Sequence, residues 1–180
     1  RPEAIKMSPV FHALKEQYEI KVCVTAQHRQ MLDQVLSIFN IVPDYDLNVM
    51  EKNQDLFSLT SKILLSFKAV LNDFRPDLVL VHGDTTTAMS AALASFYQNI
   101  PVGHIEAGLR THKIDSPFPE EMNRQVVSRI ANLHFSPTLL AKNNLMKEGI
   151  KEANIHVTGN TVIDALFSKL DIVRKKDTIR

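Results

Sequence analysis

The chain holds one cysteine, Cys23, in 180 residues. A lone thiol excludes an intrachain disulfide and any cysteine-rich zinc site, and it fits a reducing cytoplasm. Its place in the apolar run Lys21-Val-Cys-Val-Thr25 marks it as a small buried hydrophobe. Glycine is also scarce, at five residues, and neither a glycine-rich dinucleotide fingerprint nor a P-loop is present. No apolar run approaches the roughly 20 residues of a membrane span, and no signal peptide is visible. The formal net charge is only +1, so no strong field draws the chain to nucleic acid or to a membrane. What is left is ordinary globular composition, 44% hydrophobic and 23% charged, and enough length for one large domain with a buried core. The chain opens at Arg1 and enters a helical pattern at once, which reads as a piece of something longer.

Apolar spacing sets out the elements. Met7, Val10, Phe11 and Leu14 form one face of a first helix, with Pro2 in its first turn. A short strand covers 21–25. A second helix from about His28 puts Met31, Leu32, Val35, Leu36 and Phe39 on one face. Residues 41–55 are polar and turn-rich and read as a surface loop. A long helix over 55–74 turns Leu59, Ile63, Phe67, Val70 and Phe74 inward. Strand 78–81, an Ala/Ser-rich helix from about Thr86, strand 101–105, an irregular stretch from Glu106 to Phe118, and a helix from Pro119 to Ala131 follow. A strand at 134–136, a helix at 138–148, a strand at 154–158 and a last helix at about 161–170 complete the order, with a charged tail from Arg174. Strands alternating with helices predict a parallel α/β sheet, and short, apolar strands predict that both faces are covered.

Ligands of open α/β sheets bind beyond the carboxyl ends of the strands. Two acidic residues follow apolar strands directly: Asp84 in His82-Gly-Asp-Thr-Thr-Thr87 and Glu106 in His104-Ile-Glu-Ala-Gly-Leu-Arg110. Asp84 reads equally as a helix N-cap or as a carboxylate facing an anionic or sugar ligand. Glu106 reads as a functional carboxylate, with an ion pair to Arg110 as the plainer alternative. Glu120, Asn123 and Arg124 share a helix face by spacing, and Glu120 lies in the first turn, where the dipole favours an anion. Its neighbour Glu121, about 100° around the helix, is expected to tolerate change. His82, His104 and His112 read more simply as buried or supporting groups than as metal ligands, so no metal is expected. Arg1 and Lys6 oppose the dipole of the first helix, which a bound phosphate would explain.

Taken in order, Arg1-Pro-Glu-Ala-Ile-Lys6, Thr25-Ala-Gln-His-Arg29, Val81-His-Gly-Asp-Thr-Thr-Thr87, Pro101-Val-Gly-His-Ile-Glu-Ala-Gly-Leu-Arg-Thr111, Ser116-Pro-Phe-Pro-Glu-Glu-Met-Asn-Arg124, His134-Phe-Ser-Pro137 and Thr158-Gly-Asn-Thr-Val-Ile-Asp164 resemble the bacterial non-hydrolysing UDP-N-acetylglucosamine 2-epimerases. The resemblance runs to about Leu170. It implies a Rossmann-like parallel sheet flanked by helices, the N-terminal half of a GT-B-type two-domain fold. Residues 1–170 would be that domain without the strand and Gly-Thr that precede Arg-Pro-Glu in the family, and residues 171–180 a tail or the start of a linker. The second domain, which in the family brings a histidine and most uridine and diphosphate contacts, is absent from this sequence, so the chain alone is expected to be inactive. The implied reaction interconverts UDP-GlcNAc and UDP-ManNAc by eliminating and re-adding UDP, with no cofactor. Asp84, Glu106 and Glu120 match the family's acidic positions, and Arg1, Lys6 and Arg124 its basic ones, with His82 beside them at the substrate. Gln27, His28, Gln30, Gln54 and Glu120 match a second, activating substrate site, although Asn53 stands where some members carry arginine. A homodimer is implied, with the helices at 28–39 and 55–74 near the contact. A hydrolysing epimerase, a GT-B glycosyltransferase and a non-catalytic nucleotide-sugar-binding or dimerisation module are the competing readings.

Overall fold

The computed structural model describes residues 2–25, 29–51 and 54–177. Helix α1 (Pro2–Leu14) is followed by β1 (Cys23–Val24), α2 (Arg29–Ile38), β2 (Tyr45–Asp46), α3 (Leu56–Phe74), β3 (Val79–His82), α4 (Thr86–Tyr97) and β4 (Val102–Ile105). Then come α5 (Glu120–Ile130), β5 (Leu133–Ser136), α6 (Leu139–Lys147), a single 3-10 turn, β6 (Ile155–Val157) and α7 (Val162–Asp177). Strands β3, β4, β5 and β6 form one sheet in that order, every pair parallel. Each neighbouring pair is joined through a helix, the connection that parallel strands require.

The main core lies where α3, α4 and α5 cover this sheet: Phe67, Leu71, Val79, Val81, Ala88, Ala92, Val102 and Val127 are buried together. Small residues let α4 pack against both α3 and α5; Ala92 and Ser90 are fully enclosed. A second cluster joins Leu36, Phe39, Ile41 and Ala165 with Ile5, Phe11, Val22 and Val24, so α1, α2, β1 and α7 form a smaller unit beside the sheet. Helix α3 starts at the Asp55 cap, whose carboxylate accepts from Ser58 N at 2.7 Å, and stops at Arg75, which takes a left-handed conformation at φ 52 and donates its N–H to Leu71 O. Pro76 then prevents continuation.

The sequence reading departs from the structure in four elements. Residues 41–55 are not all surface loop: β2 pairs in parallel with β1, and Val49 is buried against Leu59 and Ile63. Two paired residues are too few to leave a periodic signal, and the pairing is helped by the Asp44 carboxylate accepting from Val22 N at 2.8 Å. Met31 of α2 is 58% exposed, whereas Leu36 in the helix and Phe39 just after it are buried as the spacing predicts. In α3 the fully inward row is Leu59, Ile63, Phe67 and Leu71, with Val70 and Phe74 half-buried at its margin. Helix α7 continues to Asp177 rather than ending near Leu170.

Candidate active site

Two adjacent strands end side by side. β3 ends at His82 and turns through Gly83 (φ 68) to Asp84; β4 ends at Ile105 and turns through Glu106. The turns are stitched together. Gly83 N donates to Ile105 O at 2.9 Å, and His104 Nε2 donates to Gly83 O at 2.8 Å. Glu106 itself has φ 67, a left-handed backbone that costs a non-glycine residue roughly 1–2 kcal/mol. Such outliers persist where surroundings hold them, and they gather at functional sites. Here a hydrogen-bonded ion pair from Lys6 in α1 holds the Glu106 carboxylate. His82 Nε2 lies 3.8 Å from the other carboxylate oxygen. Neither ring nitrogen of this buried histidine makes a hydrogen bond among the described residues. Burial pushes the His82 pKa down; Glu106 opposes that shift and Lys6 adds to it.

Asp84 is not the cap of α4. That role belongs to Thr85, whose hydroxyl accepts from Ala88 N at 3.2 Å. The Asp84 carboxylate instead meets Arg124 Nη2 at 2.6 Å, and Asn123 Nδ2 donates to the Asp84 carbonyl at 2.9 Å. Both partners come from the start of α5. Partial burial raises the Asp84 pKa; the Arg124 charge pulls it down, and Glu106 and Glu120 push it up. Asp84 therefore feels both Glu106 at the neighbouring strand end and Glu120 in the first turn of α5. A half-buried carboxyl with a raised pKa and a second carboxylate ion-paired to lysine form a set able to take and return protons. Lys6 and Arg124 are cations placed beside them that can meet a diphosphate.

The structure thus brings Lys6, His82, Asp84, Glu106, Glu120 and Arg124 into one region. The alternative Glu106–Arg110 pair does not form: Arg110 turns away and binds Glu148 through Nε and Nη2 at 2.7 and 2.8 Å. His112 is exposed on the irregular stretch. Among the described residues no group of three or more His, Cys, Asp or Glu side chains is placed to hold a metal ion. Arg1, Gln27 and His28 lie outside the described residues, as does the side chain of Gln30 in α2. Gln54 donates to Val49 O at 3.1 Å and accepts from Glu51 N at 3.3 Å, so it braces the turn before α3. Glu121 reverses expectation: it is fully buried, accepting from Thr111 N at 3.1 Å and Gln125 Nε2 at 2.9 Å. No apolar periodicity signals this; the one trace in the sequence is Arg124 and Gln125 at i+3 and i+4.

The parallel sheet with charged groups at its carboxyl edge is a Rossmann-like α/β domain. Structural neighbours make the assignment specific. The UDP-GlcNAc 2-epimerase of Neisseria meningitidis, solved bound to UDP-GlcNAc, superposes with a TM-score of 0.92 at 58% identity, over 97% of this chain and 48% of that one. The Methanocaldococcus jannaschii UDP-GlcNAc 2-epimerase, in complex with UDP-GlcNAc and UDP, gives 0.91 at 38% identity, over 97% of this chain and 48% of that one. The UDP-N-acetylglucosamine 2-epimerase of Campylobacter jejuni is 56% identical over all of this chain and 48% of its own length. The family model described as UDP-N-acetylglucosamine 2-epimerase matches residues 12–180. The chain belongs to the UDP-N-acetylglucosamine 2-epimerase family, and it spans about half the length of the curated relatives it matches.

Proposed function

We propose that the protein to which this chain contributes interconverts UDP-GlcNAc and UDP-ManNAc. The observation that carries the reading is the juxtaposition of Lys6–Glu106 and Arg124–Asp84 at the ends of adjacent parallel strands, in a family of which the Neisseria meningitidis and Methanocaldococcus jannaschii members were solved with UDP-GlcNAc. Inversion at C2 cannot begin by simple deprotonation, because no carbonyl is attached to that carbon. The C1–O bond to UDP breaks as the C2 proton leaves, giving 2-acetamidoglucal and UDP. UDP then adds back to C1 while C2 is protonated on the opposite face. Asp84, Glu106 and Glu120 handle protons and the developing positive charge at C1, and Lys6 and Arg124, with Arg1, take the leaving diphosphate. His82 adds a polar contact to the sugar side.

Residues 1–170 are the N-terminal domain in this reading, 171–180 lead towards a second half, and the closed cleft needs both. Gln27, His28, Gln30, Gln54 and Glu120 form the activating site. The exposed apolar residues Met31 and Ile38 of α2 and Phe57 and Leu65 of α3 support a homodimer built on these helices. Among the described residues no helix is long and apolar enough to cross a membrane, in keeping with a cytoplasmic enzyme. The test is to follow UDP-GlcNAc by NMR with the full-length protein and with the 180-residue chain. UDP-ManNAc from the full-length protein and nothing from the chain supports the reading. Free N-acetylmannosamine and UDP would make it a hydrolysing epimerase, and no turnover a binding module. A strictly monomeric mass in light scattering would remove the dimer.

A further inference from the structure

We propose that Glu121 is a positioning residue, the buried anchor that aims the Arg124 guanidinium at Asp84. This rests on the epimerase reading above. Arg124 is forked between two carboxylates: Nη2 reaches Asp84 at 2.6 Å, and Nη1 lies 3.5 Å from Glu121 Oε2. The two carboxylates differ in kind. The Asp84 side chain keeps 28% of its surface exposed, the Glu121 side chain none. A carboxylate that cannot move fixes an arginine; one at the surface is fixed by it. Glu121 is itself held from three directions. Thr111 N donates to it from the stretch after β4, Gln125 Nε2 donates from the next turn of α5, and Arg124 faces it. Its place in the first turn of α5 adds the favourable end of the helix dipole. A buried ion with so many partners is stable where an unpaired one would not be. Burial alone would raise its pKa, but the hydrogen bonds from Gln125 and Thr111 and the Arg124 charge prevail, so it stays ionised.

The same contact explains how the irregular stretch reaches the site. Thr111 is tied to Glu121 through its N–H and to Ser116 O through its hydroxyl at 2.5 Å. Glu121 therefore sets two things at once: the course of the segment leaving Glu106, and the arginine that meets Asp84. It touches neither sugar nor diphosphate in this scheme; its charge acts on the site through Arg124, and Glu121→Gln keeps an oxygen able to accept from Thr111 N.

The experiment is a double-mutant cycle in the full-length protein with Glu121→Gln, Arg124→Met and both together. Coupled residues give non-additive effects. Glu121→Gln is expected to lower kcat for UDP-GlcNAc about 10–100-fold in the wild-type background and by less than about threefold beside Arg124→Met. Equal losses in both backgrounds, or a normal kcat for Glu121→Gln, overturn the proposal. Gln125→Leu loosens the same anchor and is expected to show the same dependence on Arg124; it decides the matter if Glu121→Gln does not fold. A wild type that does not epimerise refutes the epimerase reading, not the anchor. The anchor then stands or falls on nitrogen NMR of the Arg124 guanidinium. Distinct Nη signals that merge in Gln125→Leu support it, and signals unchanged by the variant refute it.

Discussion

Arg110 and Arg124 both bury their guanidinium groups against carboxylates, with side-chain exposures of 0% and 12%, yet they are different devices. Arg110 uses four of its five N–H donors: Glu148 takes two, Ser128 Oγ one and Leu109 O another. It ties the stretch after β4 to α5 and α6 and has little left to offer a ligand. Arg124 is shared between two carboxylates, and its buried Nε makes no hydrogen bond among the described residues. The first arrangement is nearly saturated and maintains shape. The second holds charge in reserve beside a carboxyl whose pKa burial has raised. Ion pairing alone does not separate scaffold from site; the completeness of the pairing does.

The largest expected effect sharpens this division at the carboxylates. In the full-length protein, Asp84→Asn and Glu106→Gln should each lower kcat by roughly 10²–10⁴, the usual contribution of acid–base groups, with little change in unfolding free energy. Near-normal kcat in both would leave these residues as structural and dissolve the contrast. Arg110→Met should do the reverse. It removes the partner of Glu148, whose side chain is 26% exposed, and should cost about 1–3 kcal/mol in urea unfolding, while protein that remains folded keeps kcat within a few-fold. If Arg110→Met is stable but inactive, the two arginines have been assigned the wrong way round.

A third expectation concerns acid. Burial, the leading cause in each case, lowers the pKa of His82, His104 and His134, in His104 to about 3. Folding thus favours the neutral rings, while unfolded chains take up protons below about pH 6.5. The stability this provides is complete above that pH and is lost as pH falls, for His104 through the window from about 6.5 to about 3. Each group contributes a slope on the order of 1.4 kcal/mol per pH unit where only the unfolded chain is protonated. Thermal melts between pH 7.5 and 5.5 should show the decline, and His104→Gln should flatten it; a flat profile in the parent would contradict the burial of these rings. The smallest effect separates cap from carboxylate. Thr85→Ala should cost about 1 kcal/mol of stability through the lost cap of α4, measurable by urea unfolding, and Asp84→Asn less than that. Equal costs would restore Asp84 as a cap.

The architecture was legible because it rests on local patterns. The α3 periodicity, the small residues of α4, the apolar strands at 78–81 and 101–105 and the proline at the mouth of α5 all specify their elements within a few residues. Strand β2 escaped because its signal is two residues long. Contacts at the site divide in the same way. Asp84 and Glu106 could be placed at strand ends from sequence, since strand position is local. Their partners could not: Lys6 meets Glu106 and Arg110 meets Glu148 across long separations, whereas chain proximity offers only Arg110 as a partner for Glu106, the plainer alternative. Glu121 was misjudged for a related reason. Helical spacing tells which residues share a face, but only packing tells which polar face is turned inward.

Lys6 belongs to the smaller unit that α1 builds with α2, β1 and α7, whereas Glu106 leaves the main sheet. The ion pair therefore operates as a conjunction: it exists only while both units are closed. Any opening of α1 that leaves the sheet intact would strip Glu106 of its cation without unfolding the strand that carries it. Local openings of this kind have their own free energies, usually smaller than that of global unfolding. The protection of α1 amides against hydrogen exchange consequently sets a ceiling on the fraction of molecules with an assembled site, and a destabilised first helix would silence the protein long before it melted.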